Sequence, residues 1–350
     1  MGLARRVVPA LAPLALAIPA AAQTAFQRVA VLVPDAPLGR VTAAAFDGAA
    51  LFVVTAEPAT IHRAEGTRLR LWGAPGRLQS PADPAWTSGR LLVRDARRQT
   101  LESFTPDGRP AASRPLPGPI ATWTGVSRGD TLVSLLAFRS DSAAVVRLRG
   151  AATDTLLRFV MPHPVRLMAR GSPAFSVAPP FAPTPAWTSL PAGGVAFWDG
   201  RSSEITLLDA RGRRSGRLRL PRGSYPVTPA DREGWLADAI PREFMGQRVF
   251  EPLRAKARAE LGFPATLPAV LALLPDPARG VWVQRTPASS GEVWAWVEAG
   301  GLRAQVRLPP GRELLAVGPA AFAVRARGGD GHDSVELYRR PPPGGAGTHR

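Results

Sequence analysis

Residues 89–109 have the sequence GRLLVRDARRQTLESFTPDGR, and residues 193–213 have the sequence GGVAFWDGRSSEITLLDARGR. The two stretches align without a gap at a constant offset of 104 residues. Each contains a short apolar strand, a polar corner that begins at Asp95 or Asp199, a second apolar strand, and a Gly-Arg pair that closes a tight turn. Such an internal repeat predicts a fold built from copies of one small β-unit.

Weaker copies of this pattern recur along the chain, so that six units are visible. Their second strands are predicted to begin near Ala50, Arg90, Asp130, Gly194, Gly280 and Ala320. The intervals between these positions are 40, 40, 64, 86 and 40 residues. A unit of about 40 residues with four short strands has the size of one blade of a β-propeller.

The last unit shows only three clear strands after Glu313, whereas an additional alternating strand lies at 26–33 near the N-terminus. We therefore predict an all-β, six-bladed β-propeller in which the N-terminal strand closes the last blade. This closure would remove the open sheet edges of the ring. The alternative is a β-sandwich or two small β-domains, which the regular spacing disfavours.

The repeat resembles the blades of six-bladed propellers of the NHL-like and TolB-like kind. The resemblance is carried by the strand that ends at Asp95, the apolar strand over 101–104, the turn Thr-Pro-Asp-Gly-Arg at 105–109, and the equivalent elements at 195–213. It covers nearly all of the chain after the N-terminal segment, but the corner lacks the Asn common in NHL repeats and the third unit is blurred. It implies a fold and no activity, because propellers serve unrelated functions.

Two helices are predicted in an insertion at about 228–262, between the fourth and fifth blades. Thr228 is the expected N-cap of the first helix, with Pro229 at the first helical position, and the helix continues to Ile240. The second helix is predicted from Gln247 to Leu261. Its apolar face would hold Val249, Leu253, Ala257 and Leu261, with Arg254, Arg258 and Glu260 off that face. The insertion is either a lid over the channel or a packing elaboration, and the second interpretation is favoured.

A proline-rich interval at 162–185 is predicted to be a long ordered loop. Its large apolar side chains are expected to be packed rather than to bind a ligand. They are Met161, Met168, Phe175 and Phe181.

The N-terminus has the order of a secretory signal peptide. Arg5 and Arg6 precede an apolar stretch, and small residues at 20–22 precede Gln23. The apolar run is shorter than a membrane span and is interrupted by prolines. We therefore predict a signal peptide at 1–22 that is cleaved near Ala22, a propeller at 23–340, and a disordered tail at 341–350. The protein would be exported to the periplasm or the cell exterior of a bacterium, without a membrane span.

The chain contains no cysteine and carries a formal net charge of +17. Disulfides, thiol catalysis and a lipid anchor on cysteine are therefore excluded. Lys256 is the only lysine and asparagine is absent, a bias expected of a GC-rich genome. Because the arginines are scattered and no basic helix or aromatic-flanked basic motif occurs, nucleic acid is not the expected partner. A basic surface that faces an acidic polysaccharide is more compatible with export.

No catalytic, cofactor-binding or metal-binding constellation is apparent. Metal-dependent propellers of the gluconolactonase-like kind hold a cation with carboxylate and Asn side chains, and the chain has no Asn. Asp47, Asp107 and Asp276 lie in turn contexts. The four histidines, none of them spaced as a metal pair, are His62, His163, His332 and His349. Serines lie outside any nucleophile elbow, and the Gly-rich stretch at 328–331 enters no helix. We therefore assign no catalytic residue, no metal site and no cofactor.

The tryptophans are interpreted as packing between blades rather than as a sugar-stacking surface. The tryptophans interpreted in this way lie in predicted strands: Trp86, Trp123, Trp187, Trp282, Trp294 and Trp296. The predicted function is therefore a binding module for a protein or polysaccharide partner. The alternative is a hydrolase or lyase with a site in the channel, which a cluster of three acidic or imidazole groups would favour. The sequence leaves the oligomeric state open.

Overall fold

The computed structural model describes residues 27–117, 120–128, 130–136, 141–149, 152–168, 175–240, 243–244, 247–248, 251–328 and 332–340. The predicted signal peptide at 1–22 and the predicted tail at 341–350 lie outside the described residues. Short strands dominate the described chain, and they pair almost entirely in antiparallel meanders. The architecture is propeller-like, as the repeat predicts.

Four meanders form separate four-stranded sheets, and strands are numbered in chain order. The first is β6–β9 (Pro81–Thr87, Arg90–Asp95, Thr100–Phe104, Pro110–Pro115), and the second is β10–β13 (Ile120–Ser127, Asp130–Leu136, Ser142–Arg149, Ala152–Val160). The third is β16–β19 (Ala186–Ser189, Val195–Trp198, Glu204–Leu208, Arg214–Arg219), and the fourth is β22–β25 (Ala272–Pro275, Val281–Gln284, Val293–Glu298, Gly301–Arg307).

The remaining long strands form one eight-stranded sheet in the order β2-β3-β4-β5-β1-β28-β27-β26. Its members are β1 (Arg28–Pro34), β2–β5 (Val41–Phe46, Leu51–Ala56, Ala59–Glu65, Arg68–Trp72) and β26–β28 (Arg312–Val317, Ala321–Arg327, Asp333–Arg339). Strand β1 pairs antiparallel with β28, as expected, and it also pairs parallel with β5 through Val33 and Arg68. Six separate sheets are therefore not observed, because β1 joins the first and last meanders.

The predicted starts of the second strands are confirmed to within one residue. These strands begin at Leu51, Arg90, Asp130, Val195, Val281 and Ala321. Middle strands such as β24 are buried at every position, because neighbouring sheets cover both of their faces. Outer strands such as β9 remain largely exposed.

The tight turn near the end of each repeat, 89–109 and 193–213, requires a glycine. Gly108 and Gly212 have φ values of 86° and 76°, a region that favours glycine. A Cβ on Gly108 would lie 2.8 Å from Gly73 N, and one on Gly212 would lie 2.9 Å from Leu156 O. In both copies the turn therefore packs its backbone directly against the preceding sheet.

Two helices follow β19, as predicted: α1 (Pro229–Ala239) and α2 (Glu251–Glu260). Thr228 caps α1 in a capping box with Asp231. Helix α2 begins four residues later than predicted, because Gln247–Arg248 (β21) pairs instead with Glu243–Phe244 (β20). Leu253 and Ala257 are buried as expected, but Arg254, predicted to lie off the apolar face, is also buried. Val249 lies outside the described residues.

The interval at 162–185 is not entirely loop, because Val165–Leu167 (β14) and Phe175–Val177 (β15) form a short hairpin. Leu167 and Val177 join α1 and α2 in one small apolar cluster. Met168 was expected to be packed, but 56% of it is exposed. No helix in the described ranges has the length and apolar character needed to cross a membrane.

Candidate functional site

A channel of about 810 Å³ runs between the first strands of the meanders. Every first strand contributes to its wall, namely β2, β6, β10, β16, β22 and β26. Much of the lining consists of small side chains such as Ala44 and Ala85, since neighbouring first strands must approach closely around a narrow axis. Charged side chains are concentrated near α1, and we refer to that end as the channel mouth.

A chain of ion pairs crosses the channel mouth. Arg325 on β27 binds Glu313 on β26, Arg327 lies 3.7 Å from the same carboxylate, and Arg327 also lies 3.4 Å from Asp238 on α1. The Arg325 side chain is 11% exposed, whereas that of Asp238 is 66% exposed. The pairs thus connect the channel wall to the helical insertion.

Glu292 lies next to this chain of ion pairs and is buried in the channel wall. Its Oε2 accepts hydrogen bonds from Trp294 Nε1 and Leu314 N, both at 2.7 Å, and its Oε1 accepts one from Gln284 Nε2 at 2.9 Å. Burial raises the pKa of Glu292 to about 8, although the bonds from Leu314 and Trp294 act in the opposite direction. The carboxyl group is therefore largely protonated at neutral pH.

A second acid and arginine pair lies elsewhere on the wall, where Asp83 on β6 lines the channel. Arg94 Nε donates to Asp83 at 2.6 Å, and its two other nitrogens donate to Ala121 O and Thr122 O of the next sheet at 3.2 and 3.3 Å. Burial raises the pKa of Asp83, against the charge and hydrogen bond of Arg94. The pair therefore binds two sheets together at the edge of the channel.

A similar arrangement occurs on β26 and β27, where Arg325 binds Glu313 and donates to Val41 O on β2, the first strand at the other end of the eight-stranded sheet. In each case an acid on a first strand precedes by 11 or 12 residues an arginine near the end of the second strand. Sequence reasoning missed all four residues. This spacing, repeated in two units, is the signal that would have identified them.

A vestibule of about 550 Å³ adjoins the channel mouth beneath α1. It shares Asp238, Gln284 and Arg327 with the channel, so the two cavities are contiguous. Trp235 and Phe181 line it. The Trp235 ring packs edge-on against Phe263, with 5.7 Å between centroids. Phe181 has a φ of 48°, which is unusual for a bulky residue.

Helix α1 is held against the propeller rather than hinged away from it. Ser289, in a single-turn helix at Ala288–Ser290, donates to the buried carboxylate of Asp231 at 2.9 Å. A Cβ on Gly234 would lie 2.8 Å from Ser289 Cβ, so the helix backbone contacts the sheet connection. These contacts agree with the favoured interpretation that the insertion packs on the propeller. Helix α1 also forms one wall of the vestibule.

The three aspartates assigned to turns differ in their surroundings. Asp47 and Asp107 accept local hydrogen bonds in exposed turns, as expected. Asp276 is fully buried and binds Arg340 as well as Trp282 Nε1, so it is part of an inter-sheet contact. The corner residues Asp95 and Asp199 each accept hydrogen bonds from two backbone N–H groups that follow them.

The histidines lie apart from the channel lining. His62 is buried on β4 beside Thr60, and burial lowers its pKa. His163 lies 3.3 Å from Asp141, His332 contacts Leu38 O, and His349 is outside the described residues. Within the described ranges, no group of three His, Cys, Asp or Glu side chains is arranged to hold a metal ion.

The tryptophans mostly fill the spaces between sheets, as interpreted from the sequence. Trp86 stacks on Phe52 at 5.1 Å, and Trp282 packs edge-on against Phe322 of another sheet at 5.0 Å. Trp187 is also buried, whereas the side chain of Trp123 lies outside the described part of the structure. Trp86 and Trp294 additionally border the channel.

Changing Glu292 to Gln is expected to flatten the pH dependence of stability. In the wild type, unfolding releases the Glu292 proton between about pH 4.5 and pH 8, so the free energy of unfolding falls as pH rises across this window. The slope from this group approaches 1.4 kcal/mol per pH unit, an order-of-magnitude figure. Urea midpoints at pH 5 and pH 9 measure it, with the exposed Glu260→Gln as the control. The explanation fails if E292Q and wild type lose equal stability between the two pH values.

Comparison with known proteins supports the fold. No protein-family model matches the chain, and no curated protein matches it. A candidate exported protein of Bacteroides fragilis is 9% identical, with 92% of this chain and 97% of that chain aligned and a TM-score of 0.52.

Two further solved structures have lower scores. Regucalcin from Agrobacterium tumefaciens, a calcium-binding protein, is 12% identical, with 91% of this chain and 98% of that chain aligned and a TM-score of 0.47. Virginiamycin B lyase from Staphylococcus aureus is 8% identical, with 90% and 99% aligned and a TM-score of 0.45. At these identities the likeness concerns the fold alone.

Proposed function

We propose that this protein is an exported, six-bladed β-propeller that acts as a binding module and takes a segment of a polysaccharide at the channel mouth. One observation supports the proposal above all: the vestibule, which has aromatic side chains in its wall, opens into the channel mouth. The acids at that mouth already have arginine or N–H partners. The binding segment would lie along the vestibule and enter the channel past Asp238 and Arg327.

The six-bladed count is supported by contacts among the first strands. Each contacts the next around the axis, in the cyclic order β2, β6, β10, β16, β22 and β26, and β26 contacts β2. In this proposal the eight-stranded sheet represents two blades. One is β2–β5, and the other is β26–β28 completed by β1.

Binding is favoured over catalysis because the acids are engaged. Glu313 binds Arg325, Asp83 binds Arg94, and Glu292 accepts three hydrogen bonds. A general base must be within reach of a substrate proton, and the carboxyl oxygens of these three acids are already hydrogen-bonded to other protein groups. The same acids and arginines can offer planar hydrogen-bond acceptors and donors to a ligand without gaining or losing a proton.

A polysaccharide is favoured over a protein partner because the site is concave. The two cavities have volumes of about 550 and 810 Å³, which is the range of small-ligand sites. Stable protein interfaces instead use surfaces that bury more than about 1,000 Å². The apolar faces of sugar rings fit aromatic walls such as Trp235 and Phe181, and the ring hydroxyls fit the charged pairs at the mouth.

A hydrolase or lyase with its site in the channel is the second candidate, and Glu292 favours it. A carboxyl group that borders a channel and holds its proton near neutral pH is suited to act as a general acid. In that case Glu292 would donate its proton to the leaving group of a bound substrate.

Binding can be tested on the processed protein purified from the periplasm, which should begin at Gln23. Calorimetric titration with cellohexaose, chitohexaose, maltohexaose and soluble muropeptides is expected to identify a ligand. Trp235→Ala and Arg327→Ala should each weaken its binding about tenfold or more, as removal of a central contact does. The exposed Arg109→Ala, in a turn of another sheet, should bind as wild type does.

Two outcomes would contradict the binding module. Saccharide binding that is indifferent to both Trp235→Ala and Arg327→Ala would place the ligand elsewhere. Release of new reducing ends or unsaturated products that Glu292→Gln abolishes, with ligand affinity retained, would establish the second candidate instead.

A further inference from the structure

One outer strand of the propeller carries a dense row of arginines. Six of the twelve residues from 211 to 222 are arginine, whereas Lys and Arg together make up 44 of the 350 residues in the chain. They flank or lie on β19, and all six are exposed: Arg211, Arg213, Arg214, Arg217, Arg219 and Arg222. We refer to these six residues as the β19 basic edge.

Genome composition does not explain this density, because it acts on every outer strand. Counted with the same three flanking residues on each side, the other outer strands β5, β9, β13 and β25 have two arginines each. Charged side chains also protect an exposed strand edge from pairing with another chain, but these other edges have fewer of them. The β19 basic edge therefore has three times the arginines of the comparable edges.

The charges of this edge are largely uncompensated. Residues 210–222 contain no acidic side chain. Arg217 lies 2.9 Å from Glu204, and in the described part of the chain it is the only one of the six that forms an ion pair. Asp209 accepts hydrogen bonds from Arg213 N and Arg211 N, the first of which does most to lower its pKa, and its charge offsets only part of the charge of these two arginines.

The strand geometry places two of the arginines side by side on one face of β19. Among the strands of the described ranges, β19 pairs only with β18, so no described strand covers its other edge. Leu218 is buried, and Arg217 and Arg219 therefore point to the opposite face. Side chains two residues apart on one face of a strand are separated by roughly 7 Å. A linear polymer with regularly spaced anionic groups matches this arrangement.

We propose that the β19 basic edge is a docking surface for an acidic polysaccharide that carries carboxylate groups. Nucleic acid is the less favoured polyanion, because residues 210–222 contain no Phe, Trp, Tyr or His on which bases could stack. Arginine binds carboxylates through paired N–H donors, and release of counterions from the polymer adds a salt-dependent contribution. This surface does not depend on the channel-mouth site.

Binding of polygalacturonate to the full processed protein tests the proposal, measured by biolayer interferometry at a series of NaCl concentrations. The triple variant Arg214→Gln, Arg217→Gln and Arg219→Gln is expected to bind about tenfold or more weakly at low salt. The slope of log K against log salt should also fall by about two. The matched control is Arg68→Gln, Arg90→Gln and Arg307→Gln, which removes three exposed charges elsewhere and should change affinity less than about threefold.

Thermal unfolding of both triple variants verifies that they are folded, since all the substituted side chains are exposed. Equal losses in the two variants would show that only the net charge matters and would overturn the proposal. No binding of polygalacturonate to the wild type at low salt, or tighter binding of single-stranded DNA at equal salt, would also overturn it. Trp235→Ala should leave the salt slope unchanged, which separates this surface from the channel mouth.

Discussion

Replacing Asp276 by alanine is expected to lower the free energy of unfolding by about 3–5 kcal/mol, the usual cost of breaking a buried ion pair. Asp276 is fully buried between two sheets, and it binds the Arg340 guanidinium and Trp282 Nε1. It also accepts hydrogen bonds from Ala278 N and Arg279 N at 2.9 and 3.1 Å. The variant would leave Arg340, itself buried over the Trp296 ring, without a counterion.

Asp209 is the matched control for this prediction. It likewise accepts two backbone N–H bonds in a turn, at 2.8 and 2.9 Å, but it is exposed and lacks the inter-sheet contact. Asp209→Ala should therefore cost much less stability than Asp276→Ala, because water can replace the lost side chain as the acceptor for both N–H groups. Urea unfolding followed by tryptophan fluorescence measures both variants. Equal losses for D276A and D209A would show that the buried pair has no special importance.

Replacing Arg94 by methionine is expected to destabilise the protein by a similar amount, about 3–5 kcal/mol. The substitution removes the partner of Asp83 and the two hydrogen bonds to Ala121 O and Thr122 O of the next sheet. Asp83 would then remain buried without a cation, so its pKa, already raised by burial, should rise further.

The variant Asp83→Asn in the Arg94→Met background separates the two contributions. Asn removes the buried charge and tolerates the φ of 47° at this position. The double variant should therefore recover a large part of the stability lost in R94M, and the remainder reports the lost contacts between sheets. If D83N adds to the loss instead, the unpaired charge is not the cause. Differential scanning calorimetry at pH 7 provides the comparison.

The strands were predictable because their signals are local. Asp95 and Asp199 accept N–H groups that follow them directly, and Gly108 and Gly212 adopt backbone conformations that favour glycine. Each signal lies within a few residues of the feature that it determines. A repeated spacing of such signals therefore locates successive meanders without knowledge of tertiary contacts.

Features that depend on distant pairing were not predictable. The parallel pairing of β1 with β5 leaves no pattern in either strand, and the start of α2 depends on the pairing of β20 with β21. The burial of Arg254 depends likewise on what packs against α2. Periodicity describes a helix in isolation, and it carries no information about a neighbour that covers its polar face.

The candidate site also depends on contacts between distant parts of the chain, so it was not predictable from the sequence. Asp238, Glu292 and Arg327 come from a helix, a sheet connection and a second strand, and they meet only when the ring has formed. The pKa of Glu292 depends on desolvation that no local sequence feature records. The vestibule similarly requires the packing of α1 on Ser289.

The position of β1 between β28 and β5 has a consequence for biosynthesis. Leu32 pairs with Val335, so β1 cannot form its antiparallel pairing until nearly the whole chain has been made, whereas β5 is available early for the short parallel pairing. Until β28 is made, one edge of β1 stays open, and some of its apolar side chains, such as Val33, stay exposed even after pairing. Contacts of such long sequence separation slow folding. A nascent chain would therefore keep one edge of β1 open to self-association until β28 has been made, and a chaperone that covers residues 28–34 would protect it during that interval.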